Sequence, residues 1–285
     1  MTASILDGIV LGLQFGVLAT GLTLVYGLGG VLNLAYGQMA VISAMVVLLA
    51  TDAAIPLVPA IGLGLLAGGL LGLLLDVTIL RPVYRLQGEA RVLLSLLLSL
   101  GVAFIVDGFL NWRLPLEGLS IRVAGEAVTI LGVRMRMGSL VASGITLLVL
   151  ASLFYLFRYT RLGRAIRSVI EDEQGAKLVG IDPHRMLRTI LVLSGVLAAI
   201  VAVTRSMVAP VNVRAGFSIT VLALIVTVVG GLGSISGAFL AGLILGVVNS
   251  IAASYIGTFL SLIILLVAAA LTILIRPAGL LGVRE

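Results

Sequence analysis

The chain alternates long apolar runs with short polar interruptions. Runs near 20 residues recur along it, each long enough to cross about 30 Å of hydrocarbon as a helix. In lipid the backbone must satisfy its own hydrogen bonds, which leaves helices or a closed barrel. Barrel strands alternate polar and apolar positions over about 10 residues. The runs here are longer and continuous, so they predict an all-α, polytopic helical membrane protein. The apolar runs lie at about 5–26, at a second stretch ending near 50, and at 60–80, 92–110, 139–157, 186–208, 218–229, 239–254 and 258–275. Nine crossings follow, or about 8–10 if a break inside a run re-enters the membrane. Residues 1–285 read as one transmembrane domain. The opening MTASILDGIVLG has no basic stretch and no small-residue cleavage site, so it reads as the first span rather than a removed signal.

Two glycine-rich stretches interrupt this pattern. GLGGVLNLAYGQMA, residues 27–40, places Asn33 and Gln38 inside apolar sequence. Polar groups there need partners, because an unsatisfied one in lipid costs several kcal/mol. GGLGSISGA, residues 230–238, is the second break, at a comparable place in the other half. Paired glycine-interrupted segments point to a transporter's internal repeat and midplane site. The candidate path or helix-break residues are Gly27, Gly29, Asn33, Gly37, Gln38, Gly231, Gly233 and Ser234. Close helix packing by small residues is the alternative reading of the same glycines.

Composition agrees with the pattern: 61% of residues are hydrophobic and 11% charged, too little polar surface for a soluble domain. The formal net charge is +6. The basic residues sit in short connections, as cytoplasmic loops require, and no basic groove with aromatic platforms suggests nucleic acid. Cysteine is absent, which excludes thiol chemistry and disulfides. One histidine without cysteine or paired intramembrane carboxylates argues against a metal site.

The most polar connection is 158–188, which holds seven basic and four acidic residues and the sole histidine, His184. Residues 160–178 predict one helix with Ile166, Val169 and Ile170 on one side. Gly180 suits a helix end, and Asp182-Pro183 a new start. This loop is expected in the cytoplasm, with the N-terminus outside and the C-terminus cytoplasmic. The second polar connection, 111–138, carries short alternating stretches that suit a small hairpin or an irregular surface segment on the outside, with Trp112 as an interfacial anchor. Asp76 is expected to pair with Arg81 or Arg85. Ser95, Ser99 and Gly101 are expected to serve helix packing, and Arg205 to reach outward along its own stem.

Three stretches together resemble the permease subunits of branched-chain amino acid ABC importers. GLTLVYGLGGVLNLAYGQMAVISA is similar to the family's N-terminal motif, with Asn33, Ala35 and Gly37 in an N-x-A-x-G pattern. RLGRAIRSVIEDEQGAKLVGID resembles its cytoplasmic coupling loop, with Gly163, Arg164, Arg167, Asp172, Ala176, Gly180 and Ile181 at matching positions. VVGGLGSISGAFLAGLILG and the closing RPAGLLG resemble its C-terminal part. Gln38 stands where many relatives carry an acid, and Ser236 where proline is common.

The resemblance implies a non-enzymatic permease in a bacterial or archaeal plasma membrane. Its implied partners are two cytoplasmic ATPase subunits, a homologous or identical second permease, an extracytoplasmic solute-binding protein, an amino acid and the lipid bilayer. ATP and Mg would bind in the ATPases only; this chain holds no G-x-x-x-x-G-K-[ST] phosphate loop. Urea, short amides or other amino acids remain alternative solutes. An ion-gradient-driven transporter or channel is the competing class, and it would require ionisable residues at span centres.

Overall fold

The computed structural model describes residues 2–282 apart from 87, 115–117, 131 and 277. Pro277 of the closing motif therefore lies outside the described residues. Each of the nine apolar runs is a helix: α1 (Thr2–Gly29), α2 (Tyr36–Asp52), α3 (Leu57–Leu74), α4 (Gly88–Arg113), α5 (Met137–Tyr159), α8 (Pro183–Ser206), α9 (Ala215–Gly230), α10 (Ile235–Ile256) and α11 (Thr258–Ile275). Two short helices, α6 (Arg161–Glu171) and α7 (Glu173–Leu178), lie between α5 and α8. A π-helical turn, Leu75–Leu80, continues α3. Among the described residues seven helices are long and apolar enough to cross a membrane, while α2 and α9 are shorter.

The bundle is built around α1. Some 89% of its most apolar window is buried, against 17% for α4 and for α11. Its closest neighbour is α10, which runs antiparallel to it. Gly8, Gly12 and Gly16 recur every four residues and face Val247, Leu243 and Phe239 in turn. From the other side Gly242 and Gly246 meet the backbone of Gly16 and Gly12. A Cβ at Gly12 would lie 2.8 Å from the Cα of Leu243, so the two backbones touch where any larger residue would hold them apart. Lipid offers no hydrophobic force between helices, and such close contact is what replaces it.

The end of the bundle that carries α6 and α7 is here termed the loop end. Helix α1 arrives there at Gly29. Gly30 takes φ +56° and its N–H closes on the Tyr26 carbonyl at 2.8 Å, a left-handed helix stop. The chain then climbs back beside α4 in an extended form. Arg91 Nη1 donates to the Gly29 carbonyl, the Leu32 N–H donates to Ser95 Oγ at 3.1 Å, and the Leu34 N–H donates to Ser99 Oγ at 2.9 Å. Further up, Gln38 Nε2 donates to Asp107 Oδ1 at 3.3 Å. Ser95 and Ser99 lie about 6 Å apart along α4, and Leu32 and Leu34 match that in two residues, which only extended backbone can do. The first break is thus an unwound segment ahead of α2, which is shorter than most of its neighbours. Ser95 and Ser99, expected to serve packing, are buried, and their hydroxyls also bind this backbone.

The second break separates α9 from α10 at the loop end. Gly231 and Gly233 have φ of +105° and +88°. The C-terminal residues fold back on it: Leu280 N–H donates to the Val229 carbonyl and Leu281 N–H to the Gly230 carbonyl, at 2.9 and 3.2 Å. These bonds satisfy carbonyls that the end of α9 leaves free.

At the opposite end, β2 (Val128–Ile130) and β3 (Val133–Met135) form the expected antiparallel hairpin. A second ladder joins β1 (Gly118–Leu119) to β4 (Val211–Asn212), closing the connection 111–138 over the start of α9.

Ser99→Ala removes the acceptor of the Leu34 N–H. The expected loss is about 1–3 kcal/mol, the cost of an orphaned buried donor. Ser152→Ala, which removes an exposed hydroxyl bonded only to its own helix, should change little. Thermal unfolding of the two variants in one detergent checks this.

Candidate functional site

The charged loop is built by caps. Thr160 Oγ1 accepts from the Gly163 N–H at 3.1 Å and starts α6. Gly163 lies on the last turn of α5, where a Cβ would run into the Leu156 and Phe157 backbone. A larger residue would push α6 away from α5. Ile166 and Val169 face inward, as expected, while Ile170 is 46% exposed.

One helix was expected over residues 160–178, and two are present. Asp172 leaves the helix with φ −151° and ψ 102°, and its Oδ1 accepts from the Gln174 N–H at 3.0 Å. An aspartate that can bond the backbone two residues on competes with the helix, and here it caps α7 instead. Ala176 is buried beneath α7. Gly180, at φ +83°, ends it: Gly180 N–H donates to the Lys177 carbonyl and Ile181 N–H to the Ala176 carbonyl. That bond pair is the Schellman stop, and it favours glycine at this position. Asp182 Oδ1 then accepts from the His184 N–H at 3.0 Å, with Pro183 in the first turn of α8.

Two ion pairs form within the loop. Lys177 donates to Glu173 at 2.8 Å, and this bond holds the Glu173 carboxyl below its usual range. Arg185 pairs with Asp182 at 3.2 Å. Arg164 stays exposed, and Arg167 lines a groove between α5 and α10. Leu178 and Val179 at the tip are 89% and 75% exposed, so nothing in this chain covers them.

The loop is tied to the membrane helices through Asp76. This carboxylate is buried in the π-helical turn after α3. It was expected to pair with Arg81 or Arg85. Instead Arg188 Nε donates to its Oδ2 at 3.0 Å and Tyr84 Oη donates to its Oδ1 at 2.9 Å. Asp76 thus joins the π turn to the first turns of α8. Burial, and then the neighbouring Asp76 charge, push the Tyr84 phenol above its usual range, so it stays a donor. The Tyr84 ring also lies 5.9 Å from the His184 ring.

The break residues fall into two groups. At the loop end Gly27 faces Gly233, Gly29 meets Leu187, Gly231 lies on the C-terminal turn, and Ser234 Oγ caps α10 through the Gly237 N–H. Nearer the opposite end, Asn33 Oδ1 accepts from the Ala35 N–H, and the Gly37 N–H donates to Thr220 Oγ1 at 2.9 Å. Gln38 is 1% exposed, and its Oε1 has no partner among the described residues. A cavity of about 200 Å³ opens beside it between α2, α3 and α4, walled by Met39, Ile42, Leu71, Leu75, Val102 and Val106. Asp107, Ser95, Ser99 and Thr220 were not singled out for this region. Serines spaced by four on one helix face were the available signal. Among the described residues no cluster of three His, Cys, Asp or Glu could hold a metal.

Residues 4–276 match the family model described as branched-chain amino acid transport system / permease component. The chain is 26% identical over 288 residues to the high-affinity branched-chain amino acid transport system permease protein LivH of Escherichia coli (strain K12), covering 97% of this chain and 94% of that protein. It is 28% identical over 291 residues to BraD of Pseudomonas aeruginosa, similarly named, covering 98% and 94%. It is 27% identical over 285 residues to a probable branched-chain amino acid transport permease protein LivH of Methanocaldococcus jannaschii, covering 93% and 88%. Among solved structures, PsaBC from Streptococcus pneumoniae in complex with Fab matches in fold, with a TM-score of 0.51 at 14% identity over 94% of this chain and 89% of that one.

Arg188→Met leaves Asp76 buried beside Tyr84 alone. Breaking a fully buried pair costs about 3–5 kcal/mol, and Arg188 is half exposed, so about 1–3 kcal/mol is expected. Adding Asp76→Asn should recover part of that loss. A double-mutant cycle by thermal unfolding should give a coupling of about 1 kcal/mol or more.

Proposed function

The chain belongs to the branched-chain amino acid transport permease family, and from that membership we propose that it carries branched-chain aliphatic amino acids inward, driven by ATP. As a permease subunit of such an ABC importer it is a non-catalytic, multi-pass membrane component. ATP and Mg act in two cytoplasmic ATPase subunits. An extracytoplasmic protein delivers the solute, and a second permease, homologous or identical, completes the membrane part.

The loop end faces the cytoplasm in this reading. The basic residues of 158–188 support that orientation, which leaves the N-terminus outside and the C-terminus inside. The loop is where the ATPase docks. Exposed Leu178 and Val179 supply apolar contact, and exposed Arg164 supplies charge. Gly163, Asp172, Ala176, Gly180 and Ile181 shape the two helices that present them, and Arg167 flanks them.

The solute path runs beside the unwound backbone from Gly29 past Asn33, Gly37 and Gln38. Gly27, Gly231, Gly233 and Ser234 form its narrow cytoplasmic end. The observation that carries the substrate reading is the cavity at Gln38. Its walls suit an aliphatic side chain, and the free Gln38 Oε1 suits an ammonium donor. The nearby Asp107 carboxylate adds the charge that an ammonium prefers. Among the described span centres there is no ion-coupling pair to support a gradient-driven carrier.

The test is leucine uptake into proteoliposomes holding this chain with its ATPase, second permease and binding protein. ATP-dependent uptake is expected, with ATP hydrolysis stimulated by the leucine-loaded binding protein. Gly180→Arg, which puts a side chain on a left-handed turn, should abolish that stimulation. Gln38→Leu should lower leucine uptake at least about tenfold, the loss of one buried charge-assisted bond. Uptake that follows an ion gradient without ATPase would overturn the reading.

A further inference from the structure

A groove of about 760 Å³ runs along the bundle between α5 and α10, with α1 as its floor. The α5 wall is one helical face: Leu147, Leu150, Ala151 and Phe154, then Arg158. Spacings of three and four place these side chains in one line. From Leu147 to Arg158 that line is about 16 Å long, close to the depth of one leaflet's hydrocarbon, half of about 30 Å. The facing wall is Ile235, Ser236 and Phe239 of α10. The groove is therefore mostly apolar along a leaflet, with the Thr20 and Thr23 hydroxyls on its floor and Ser236 on its wall, and charged only at the loop end.

That charged end is made by Arg158, Arg167 and Glu171. Among the described residues none of the three joins an ion pair or a side-chain hydrogen bond. The Arg158 guanidinium lies over the Phe154 ring at 5.8 Å and near the Tyr159 ring at 6.0 Å, which holds it at the rim of the groove. Arg167 comes from α6, so the rim is closed by the charged loop itself. Two guanidiniums against one carboxylate leave one net positive charge.

We propose that this groove is a binding site for one anionic phospholipid with a hydroxyl-bearing headgroup, of the phosphatidylglycerol class. The acyl chains lie along the Leu147–Phe154 face and against Phe239. The phosphate sits between Arg158 and Arg167, whose planar donors suit a phosphodiester oxygen pair. The Glu171 carboxylate accepts a headgroup O–H, which a choline headgroup cannot donate. Basic pockets between membrane helices take anionic headgroups by the same chemistry. An apolar helix of another protein chain fits less well, since it would bury two guanidiniums at the groove's end against Glu171 alone. Because α6 supplies Arg167 and Glu171, a lipid held here joins the charged loop to the membrane face of α5.

Native mass spectrometry of the full transporter complex, released from detergent with added phosphatidylglycerol or phosphatidylcholine, tests this. Phosphatidylglycerol adducts on this chain are expected, with phosphatidylcholine weaker by about tenfold. Arg158→Gln with Arg167→Gln should remove most of that preference. Ala151→Trp keeps both charges and fills the groove, and should lower binding of both lipids. Neither change replaces a glycine of the α1–α10 seam, and the complex mass reports assembly in the same spectrum. Phosphatidylglycerol binding by the double glutamine variant equal to the wild type would overturn the proposal. So would equal binding of the two lipids by the wild type, or a photo-crosslinker at position 151 that captures protein instead of lipid.

Discussion

A polypeptide that leaves its helix inside a membrane must still satisfy every N–H and C=O it exposes. Much of the architecture follows from how the stretch between Gly29 and Tyr36 meets this demand. Its N–H groups turn to Ser95, Ser99 and Asn33, and the Gly37 N–H turns to Thr220. The Leu32 carbonyl takes Ser99 and the Leu34 carbonyl takes Thr220. These bonds fix α4 and α9 against the break, although α4 buries little apolar surface of its own. They also shape the cavity beside Gln38. The glycine seam between α1 and α10 holds the other side, so the break lies between two rigid supports.

The loop end gathers the remaining constraints. Gly163 lets α6 rest on α5, and the Asp76–Arg188 pair fastens the start of α8 to the end of α3. The C-terminal residues close the second break. In the importer reading, a push on α6 and α7 from an ATPase reaches two different membrane helices through short rigid contacts. A shift there changes which end of the path is open by moving packed elements as bodies.

Much of this was legible along the chain. Each of the nine continuous apolar runs is a helix, and seven are long enough to cross a membrane, because burial in lipid imposes length and composition directly. The caps at Gly180 and Asp182 were legible too, since each is set within a few residues. What escaped depended on distant partners. Asp76 was assigned to nearby arginines, whereas its partner Arg188 is 112 positions away. The serines of α4 looked like packing residues until the unwound backbone lay beside them. The pairing of β1 with β4 joins segments with no shared pattern. The split at Asp172 had a local signal, an aspartate ahead of a second acidic residue, but the apolar side of the helix masked it. The two glycine breaks were visible as breaks, while their different geometries were not.

The central claim is that the loop end is where ATP hydrolysis is coupled to transport. The chain has no native cysteine, so an introduced thiol is the only one it carries, and the cysteine-free chain serves as the background control. Arg164→Cys, in inverted membrane vesicles carrying the assembled complex, would be treated with a short thiol-to-amine cross-linker, with Thr129→Cys on the β2–β3 hairpin as the control. The account predicts an adduct of this chain with an ATPase subunit from position 164, formed from the cytoplasmic side, and none from position 129. An ATPase adduct from position 129, or none from position 164 in a complex that retains its ATPase, would contradict it.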